Sequence, residues 1–379
     1  MTTDILTTPL QTRIREAIGQ AGGWLGFDSF MELALYTPHL GYYANDSRKF
    51  GTMPAGVTVS SECGGSDFVT APEMSAHFGR ALAAQVQQAL QHSGTREVWE
   101  FGAGSGALAE QLLVALGDAV ERYTIVDLSG SLRELQHTRL SEFAGKVRWV
   151  AELPAQMKGV VVGNEVLDAM PVKLLVRLKG VWHERGVVVH DGALTYADQP
   201  TDLRPPVEPE GQHDYVTEIH QQAEGFVRTL ADRLKAGGGG AAFFIDYGFP
   251  ELEYYHPQRS MGTLMCHRAH LADPDALADV GSKDITAHVN FTGIALAGQE
   301  AGLRVAGYAS QGRFLLNCRL LDGLENVSLS ERVMVQRLVN EHEMGELFKI
   351  IAFEAGESKA TTATWVPLGF ATGDRMHTL

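Results

Sequence analysis

The sequence predicts an α/β fold built on a doubly wound, mainly parallel sheet with helices on both faces. From about residue 97, short apolar runs alternate with helical patterns. Strands buried on both faces form such runs, and helical crossovers require parallel pairing. A glycine-rich turn joins the first run to the first helix, and four consecutive glycines, 237–240, return the chain to a later run. This alternation is typical of an open sheet covered on both sides.

Residues 1–95 are predicted to form a helical N-terminal cap that includes a covering loop. Helical patterns occupy 9–20 and 28–36, and Asp28 is the expected N-cap of the second helix. The stretch 50–67 is rich in Gly, Ser and Pro and is predicted to be a long loop. At 379 residues the chain exceeds the usual size of one domain, so we expect a large core with an appended lobe.

A capped amphipathic helix is predicted after this loop. Thr70 and Glu73 have the spacing of a capping box. Apolar side chains then recur every four positions, a stripe that packs against a core. The residues of the stripe are Met74, Phe78, Leu82, Val86 and Leu90.

The predicted core comprises 96–171 and 240–320. Its helices and strands follow from the period of the apolar residues. The predicted strands are 97–101, 123–127, 147–150, 159–165 and 241–248, and the predicted helices are 105–116, 131–143 and 292–302. Two further runs, RVAGYA (304–309) and RFLLNCRL (313–320), are also predicted as strands.

An antiparallel meander interrupts this alternation at 172–198. Lys179-Gly180 and Asp191-Gly192 join its short runs, and such pairs are typical of hairpin turns. A long helix is predicted over about 214–236. We therefore expect 172–239 to be an inserted lobe for substrate recognition, with a homodimer surface as the alternative. A C-terminal helix and tail are predicted for 321–379.

Composition excludes several classes of partner. The formal net charge is −15, which would repel the phosphates of nucleic acid. No uncharged apolar run approaches the roughly 20 residues that span a bilayer, so no membrane partner is expected. Cys63, Cys266 and Cys318 have no regular spacing and predict no disulfide framework. Because the polar N-terminal residues do not resemble a signal peptide, we expect a cytoplasmic protein.

The strongest local signal is the stretch Glu100-Phe-Gly102-Ala-Gly104-Ser-Gly106 between a strand and a helix. Glycines let the backbone turn sharply and approach a ligand with no Cβ in the way. The N–H groups of the following helix attract a polar or anionic group. Asp127 ends the next strand, where its carboxylate can accept two hydrogen bonds from a ribose diol.

Two nucleoside cofactors fit this pattern. Gly102, Gly104 and Ala107 also match the dinucleotide pattern of NAD-binding folds. S-adenosyl-L-methionine is favoured because Glu100 lies two residues before the glycines, where methyltransferases of this fold contact their cofactor. The long helical preface also differs from NAD folds, which often open with the motif. The run 159–165 further delivers Asn164 and Glu165 to the sheet edge where ligands bind.

The chain resembles the MidA/NDUFAF7 family of methyltransferases from about residue 24 to 320. The matching stretches occur in order, which makes the resemblance more specific than the glycine motif alone. They are FMELALYTPHLGYY (30–43), SDFVTAPEMSAHFG (66–79), WEFGAGSGALAEQLL (99–113), GNEVLDAMPVKL (163–174), FFIDYG (243–248), DITAHVNFTGI (284–294) and QGRFLL (311–316). Extra residues before and including Ser66 depart from the family pattern, so the loop over the cofactor is expected to differ in shape.

The resemblance implies a Rossmann-like class I methyltransferase fold and a protein substrate presenting an arginine, because mitochondrial members are protein-arginine methyltransferases. No transit-type presequence is visible, so a bacterial cytoplasmic member is expected. The glycines would hold the methionine end of S-adenosyl-L-methionine, and Asp127 its ribose. Further cofactor contacts are predicted for Asp67, Thr70, Glu73, Glu100 and Asn164. Helix capping alone would also explain Thr70 and Glu73.

Catalytic roles are predicted for Glu165, Asp168 and His288. Methyl transfer mainly requires alignment of the nucleophile with the methyl group. Carboxylates orient a guanidinium through paired hydrogen bonds, and Asp246 with Tyr247 would complete the wall of the site. His288 is a candidate base or substrate contact, with a structural hydrogen bond as the alternative.

Three alternatives remain at this stage. The first is methylation of a small metabolite, and the second is a catalytically silent assembly factor that binds the cofactor structurally. The third is an NAD-dependent enzyme, which the dinucleotide pattern allows. Separately, the spacing of Cys266, His267 and His270 is a weak signal for a metal. No metal is expected.

Overall fold

The computed structural model describes residues 8–45, 70–127, 130–268, 271–356 and 365–379. The chain divides into two units. The core unit comprises Arg48–Asp168, Glu224–Pro250 and Val289–Leu379, and the lobe unit comprises Met1–Ser47, Ala169–Ala223 and Glu251–His288.

Helices and strands alternate through most of the described residues. The helices are α1 (Pro9–Gln20), α2 (Phe27–Tyr36), α3 (Ala71–Met74), α4 (Ala76–Ser93), α5 (Ala107–Leu116), α6 (Gly130–Arg139), α7 (Gln221–Ala236), α8 (Glu251–Tyr254), α9 (Phe291–Glu300), α10 (Gln311–Asn317), α11 (Leu329–Val339) and α12 (Met344–Leu347). The strands are β1 (Leu25–Gly26), β2 (Glu97–Phe101), β3 (Arg122–Val126), β4 (Val147–Val150), β5 (Gly159–Asn164), β6 (Lys173–Leu178), β7 (Val181–His190), β8 (Ala193–Pro200), β9 (Tyr215–Ile219), β10 (Gly240–Phe249), β11 (Met265–Arg268), β12 (Leu271–Asp273), β13 (Asp284–Thr286), β14 (Val289–Asn290), β15 (Arg304–Ser310) and β16 (Phe348–Ala355).

The sheet of the core unit confirms the predicted α/β fold. Its strand order is β4-β3-β2-β5-β10-β16-β15, and β14 adds a short parallel pairing to β10. The five strands from β4 to β10 are parallel, whereas β16 runs antiparallel to both of its neighbours. The chain order reverses between β2 and β5. In such sheets the reversal opens a crevice at the carboxyl ends of the strands, where ligands bind.

Both faces of this sheet carry apolar side chains, as the continuous apolar runs predict. On one face Phe78, Leu82, Val86 and Leu90 of α4 are buried in the same cluster as Val98 of β2, so the stripe prediction is confirmed for these four residues. Phe101 and Phe244 point to the opposite face because side chains alternate along a strand. There the ring of Phe226, on α7, packs against two rings of the sheet. Its centroid lies 5.0 Å from that of Phe101 and 5.8 Å from that of Phe244.

The predicted N-cap of α2 is wrong, and Thr70 is the N-cap of α3 but does not form the predicted capping box. Gly26 is the N-cap of α2, and Asp28 lies in its first turn. Thr70 precedes the four-residue α3 without a side-chain hydrogen bond, because Ser75 is extended and separates α3 from α4. Ser75 caps α4 by accepting from the N–H of His77, which leaves Glu73 to a different contact described below.

Three assignments in the second half of the chain differ from the prediction. The predicted helix at 214–236 begins as strand β9 and becomes helical only at α7, and RFLLNCRL contains the helix α10 rather than a strand. The predicted C-terminal helix and tail, 321–379, contributes the strand β16 to the core sheet. Every residue of β16 is buried, because it lies between β10 and β15. Pairing partners so distant in sequence cannot be deduced from local periodicity.

The lobe unit contains the predicted meander as part of a five-stranded sheet with the order β1-β7-β6-β9 and β8 beside β7. Lys179 and Gly180 have φ of +50° and +80°, and Asp191 and Gly192 have φ of +48° and +77°. Positive φ at two consecutive residues is typical of tight hairpin turns. A second sheet has the order β12-β11-β13. The predicted inserted lobe, 172–239, is thus divided, because most of α7 belongs to the core unit while 251–288 joins the lobe unit.

Candidate functional site

The glycine turn between β2 and α5 has a backbone that other residues adopt only with strain. Gly102, Gly104 and Gly106 have φ of +62°, +54° and +83°. A side chain in this left-handed region costs about 1–2 kcal/mol. A Cβ on Gly102 would lie 3.1 Å from Cγ2 of Val166, so the turn lies against the loop that follows β5. The sequence therefore keeps bare main chain at the sheet edge.

Asp127 follows β3 and is connected to the glycine turn. Its buried carboxylate accepts a hydrogen bond of 2.8 Å from Nε2 of Gln136. The same nitrogen donates to the carbonyl of Gly104 at 2.9 Å. The two features that the sequence predicts to contact a cofactor are thus joined through one amide group of α6.

Glu100 lies beside them in a fully buried position. Its carboxyl accepts a hydrogen bond of 2.7 Å from the hydroxyl of Tyr123. Burial raises the pKa of Glu100 to about 8, the bond from Tyr123 opposes the rise, and the charge of Asp127 adds to it. A cation bound nearby would favour the ionised form of this carboxyl.

Glu100→Gln is expected to stabilise the protein at alkaline pH. Between pH 4.5 and about 8 the Glu100 carboxyl stays protonated only in the folded state, so the wild type loses stability relative to the variant as pH rises. We expect the difference in unfolding free energy to grow by as much as about 5 kcal/mol from acidic to alkaline pH. Urea unfolding across this pH range, with Glu97→Gln as the control on the same strand, measures it. A constant difference would contradict the prediction.

Glu73 contacts the glycine turn rather than the start of a helix. Its side chain, 6% exposed, accepts a hydrogen bond from the hydroxyl of Ser105 and pairs with Nη1 of Arg139 at 2.9 Å. Arg139 also pairs with Glu110 of α5 at 3.2 Å. Thr70 begins the same short segment. Asp67, and the extra residues near Ser66, lie outside the described residues.

The loop after β5 brings the predicted catalytic carboxylates together with the end of β10. One oxygen of Asp246 accepts from the main-chain N–H groups of Val166, Leu167 and Asp168 at 3.1, 2.9 and 3.3 Å. The hydroxyl of Tyr247 donates to Asp168 at 2.5 Å. The segment 165–168 is therefore fixed by the neighbouring strand.

The carboxyl groups of this loop interact with that of Asp246 on β10. Burial raises the pKa of Asp246 well above its ordinary value, and the charges of Asp168 and Glu165 raise it further. Glu165 adopts a left-handed backbone with φ of +53°, which a residue other than glycine adopts only where its surroundings enforce it. We refer to Glu165, Asp168 and Asp246 as the acidic cluster.

Asn164 lies at the end of β5 beside this cluster. Its Nδ2 donates to the carboxylate of Glu165 at 2.9 Å. Its Oδ1 is buried and has no hydrogen-bond partner among the described residues. A buried polar atom without a partner is costly, and a ligand can supply the missing hydrogen bond.

His288 belongs to the lobe unit, so the structure does not group it with the carboxylates of the core unit. Its N–H donates to Thr263 Oγ1 at 3.0 Å, and its carbonyl is bonded to Nε2 of His220 at 2.7 Å. These bonds fix its main chain, and the catalytic role of its ring stays a prediction. Within the described ranges no three His, Cys, Asp or Glu side chains could hold a metal, and His270 is outside them.

Sequence reasoning missed the polar side chains that support the glycine turn. These are Ser105, Tyr123, Gln136 and Arg139. Gln136 and Arg139 are three apart and share one face of α6. That spacing was the available signal, but polar residues on a helix usually indicate a solvated face.

No helix among the residues that the structure describes is both long and apolar enough to cross a bilayer.

Comparison with known proteins gives a family and close structural relatives. A family model described as "Putative S-adenosyl-L-methionine-dependent methyltransferase" matches residues 81–309. A superfamily member from Burkholderia thailandensis, crystallised with S-adenosyl-homocysteine, is 46% identical with a TM-score of 0.87, over 98% of this chain and 96% of that chain. A native crystal structure from the same superfamily and organism is 45% identical with a TM-score of 0.84 over the same shares.

More distant relatives carry a specific activity in their names. Protein arginine methyltransferase NDUFAF7, mitochondrial, of Xenopus tropicalis is 25% identical over 76% of this chain and 75% of its own length. The Homo sapiens protein of the same name is 26% identical over 76% of this chain and 73% of its own length.

Proposed function

Because the chain belongs to the MidA/NDUFAF7 family of S-adenosyl-L-methionine-dependent methyltransferases, we propose that it methylates an arginine guanidinium of a protein substrate. The cofactor is S-adenosyl-L-methionine. The observation that carries the choice of acceptor is the acidic cluster, two of whose members, Glu165 and Asp168, lie on the loop that packs against the glycine turn.

The residues around the glycine turn suit this cofactor. S-adenosyl-L-methionine supplies an electrophilic methyl group on a sulfonium. The main chain of Gly102, Gly104 and Gly106 would hold its methionine end, and Asp127 would accept hydrogen bonds from its ribose. Glu100 would face the methionine ammonium group, because a buried carboxyl beside a cation ionises readily. The buried Oδ1 of Asn164 offers an additional acceptor.

The acidic cluster suits a cationic acceptor. Carboxylates bind a guanidinium through paired, charge-assisted hydrogen bonds that fix its plane. Glu165 and Asp168 would orient the guanidinium so that one nitrogen faces the methyl group, and a carboxylate would accept the proton that this nitrogen loses. Asp246 and Tyr247 hold the loop in place through the hydrogen bonds described above. Orientation of this kind supplies much of the rate in a displacement.

The names of the distant relatives support arginine over other acceptors. The same names support a protein substrate.

A labelling experiment tests the acceptor. Purified protein, methyl-labelled cofactor and a cell lysate are incubated, and the labelled amino acid is identified after hydrolysis. We expect methylarginine. The Glu165→Gln, Asp168→Asn double variant is expected to lose at least about 100-fold in transfer rate while it still binds S-adenosylhomocysteine, because the charges that orient the acceptor are gone.

The control is the Asp118→Asn, Glu121→Gln pair, whose side chains are 103% and 68% exposed, and it should retain the wild-type rate. Label found on lysine, or only on small molecules, would reject arginine as the acceptor. Cofactor binding without any transfer would instead favour a silent assembly factor.

A further inference from the structure

We propose that Gln136 is a positioning residue that holds the glycine turn and Asp127 in the geometry that binds the cofactor. Its single amide group donates to the carbonyl of Gly104 at 2.9 Å and to the carboxylate of Asp127 at 2.8 Å. These two partners lie on the turns after β2 and β3, on the same side of the strand-order reversal. The inference rests on the proposed cofactor site.

The orientation of this amide is determined by a third bond. The indole N–H of Trp149, on β4, donates to Oε1 of Gln136 at 2.9 Å. Indole nitrogen is only a donor, so the group that faces it must be the amide oxygen. Both hydrogens of Nε2 are then directed at two acceptors, the Gly104 carbonyl and the Asp127 carboxylate. Trp149 thus selects the one amide orientation that satisfies the cofactor site.

Gln136 acts without touching ligand, because its side chain is 0% exposed. A Cβ on Gly106 would lie 3.5 Å from Cγ of Gln136, so the side chain packs directly beneath the turn. In the absence of this amide, the Gly104 carbonyl and the Asp127 carboxylate would lose the group that joins them. The glycine turn and the carboxylate would then be held less firmly in the positions that a ligand requires.

The variant Gln136→Glu separates this role from simple packing. Glutamate has nearly the same volume and keeps an oxygen for Trp149. When ionised, its second oxygen faces two acceptors and repels the Asp127 carboxylate. When protonated, it can donate again to one of them. We therefore expect the variant to bind S-adenosylhomocysteine about 30-fold more weakly than wild type at alkaline pH, and within about fivefold of wild type at acidic pH.

Other charged groups lie near this position in both proteins. Glu100 lies on β2, and Asp127 follows β3. Arg139 and His137 share α6 with Gln136, and Arg133 of the same helix donates to the Asp127 carbonyl. Glu73 pairs with Arg139. Calorimetric affinity is therefore measured for wild type and variant at each pH, and the ratio of the two dissociation constants is the readout. This ratio removes the contributions that are common to the two proteins.

Two further variants complete the test. Gln136→Met keeps the volume but donates no hydrogen bond, and it should bind about 30-fold more weakly at every pH. Gln85→Met is the matched control, because Gln85 is also 0% exposed but bonds to Gln88 and the N–H of Gly369, and it should bind like wild type. A Gln136→Glu ratio that stays the same across pH would overturn the positioning role. If the wild-type protein does not bind S-adenosylhomocysteine at any pH, the proposed cofactor site itself is rejected.

Discussion

Gly102→Ala is expected to weaken S-adenosylhomocysteine binding by about 30- to 100-fold, the loss of two or more hydrogen bonds from the turn. Alanine is strained at the φ of +62° that Gly102 adopts, and its Cβ would lie 3.1 Å from Val166. The turn must move to relieve both effects. A displaced turn no longer presents its main chain to a ligand, and it also disturbs the loop that carries Glu165 and Asp168. Isothermal titration calorimetry measures the affinity.

Gly117→Ala is the control for backbone strain alone. Gly117 lies at the other end of α5 with φ of +50°, and a Cβ there would meet no atom within 4 Å. Its ψ of −122° also lies in a region that residues other than glycine rarely adopt, so the change should cost about 1–3 kcal/mol of stability and leave the affinity unchanged. Equal affinities for Gly102→Ala and wild type would show that the turn does not bind the cofactor.

Asp246→Ala is expected to lower the free energy of unfolding by about 4 kcal/mol and to abolish methyl transfer. One oxygen of Asp246 accepts from the N–H groups of residues 166–168, on the loop after β5. Its other oxygen accepts from the N–H of Tyr247. Alanine would remove the acceptor of these four N–H groups, which are buried or half-buried. Urea unfolding measures the stability, and amide hydrogen exchange at 166–168 should report faster opening of the loop.

Asp246→Asn distinguishes a lost hydrogen-bond acceptor from a lost charge. Because burial and the neighbouring charges of Asp168 and Glu165 raise the pKa of Asp246, a neutral amide of the same shape is well tolerated there. We expect it to restore at least half of the lost stability. Asp118→Ala, at a fully exposed side chain, should have no measurable effect. If asparagine proves as destabilising as alanine, the hydrogen-bonding explanation is wrong.

The site combines two groups of residues on neighbouring strands of one sheet. Glu100, the glycine turn and Asp127 lie at the ends of β2 and β3, and the acidic cluster lies at the ends of β5 and β10. The first group suits a nucleoside with a cationic methionine end, and the second suits a cationic acceptor. Val166, on the loop that carries Glu165 and Asp168, is adjacent to Gly102, so the two groups lie next to each other.

The sequence alone determined the parallel core and the positions of the cofactor-site candidates. Apolar runs and glycine turns are local signals, and strand ends of a parallel sheet meet at one edge whatever the details of packing. Gly102, Asp127 and Glu165 could therefore be assigned to that edge without coordinates. The hairpins at Lys179-Gly180 and Asp191-Gly192 were predictable for the same reason, because turn chemistry depends on adjacent residues.

Only the tertiary structure decided which polar side chains meet. The contact of Glu73 with Ser105, the bonds of Gln136 to Gly104 and Asp127, and the insertion of β16 beside β10 join residues that are far apart in sequence. The local pattern favoured a capping box for Glu73 and a tail for 348–355, since both use only neighbouring residues. Packing overruled these preferences, because a buried carboxylate or strand gains more from distant partners than from local ones.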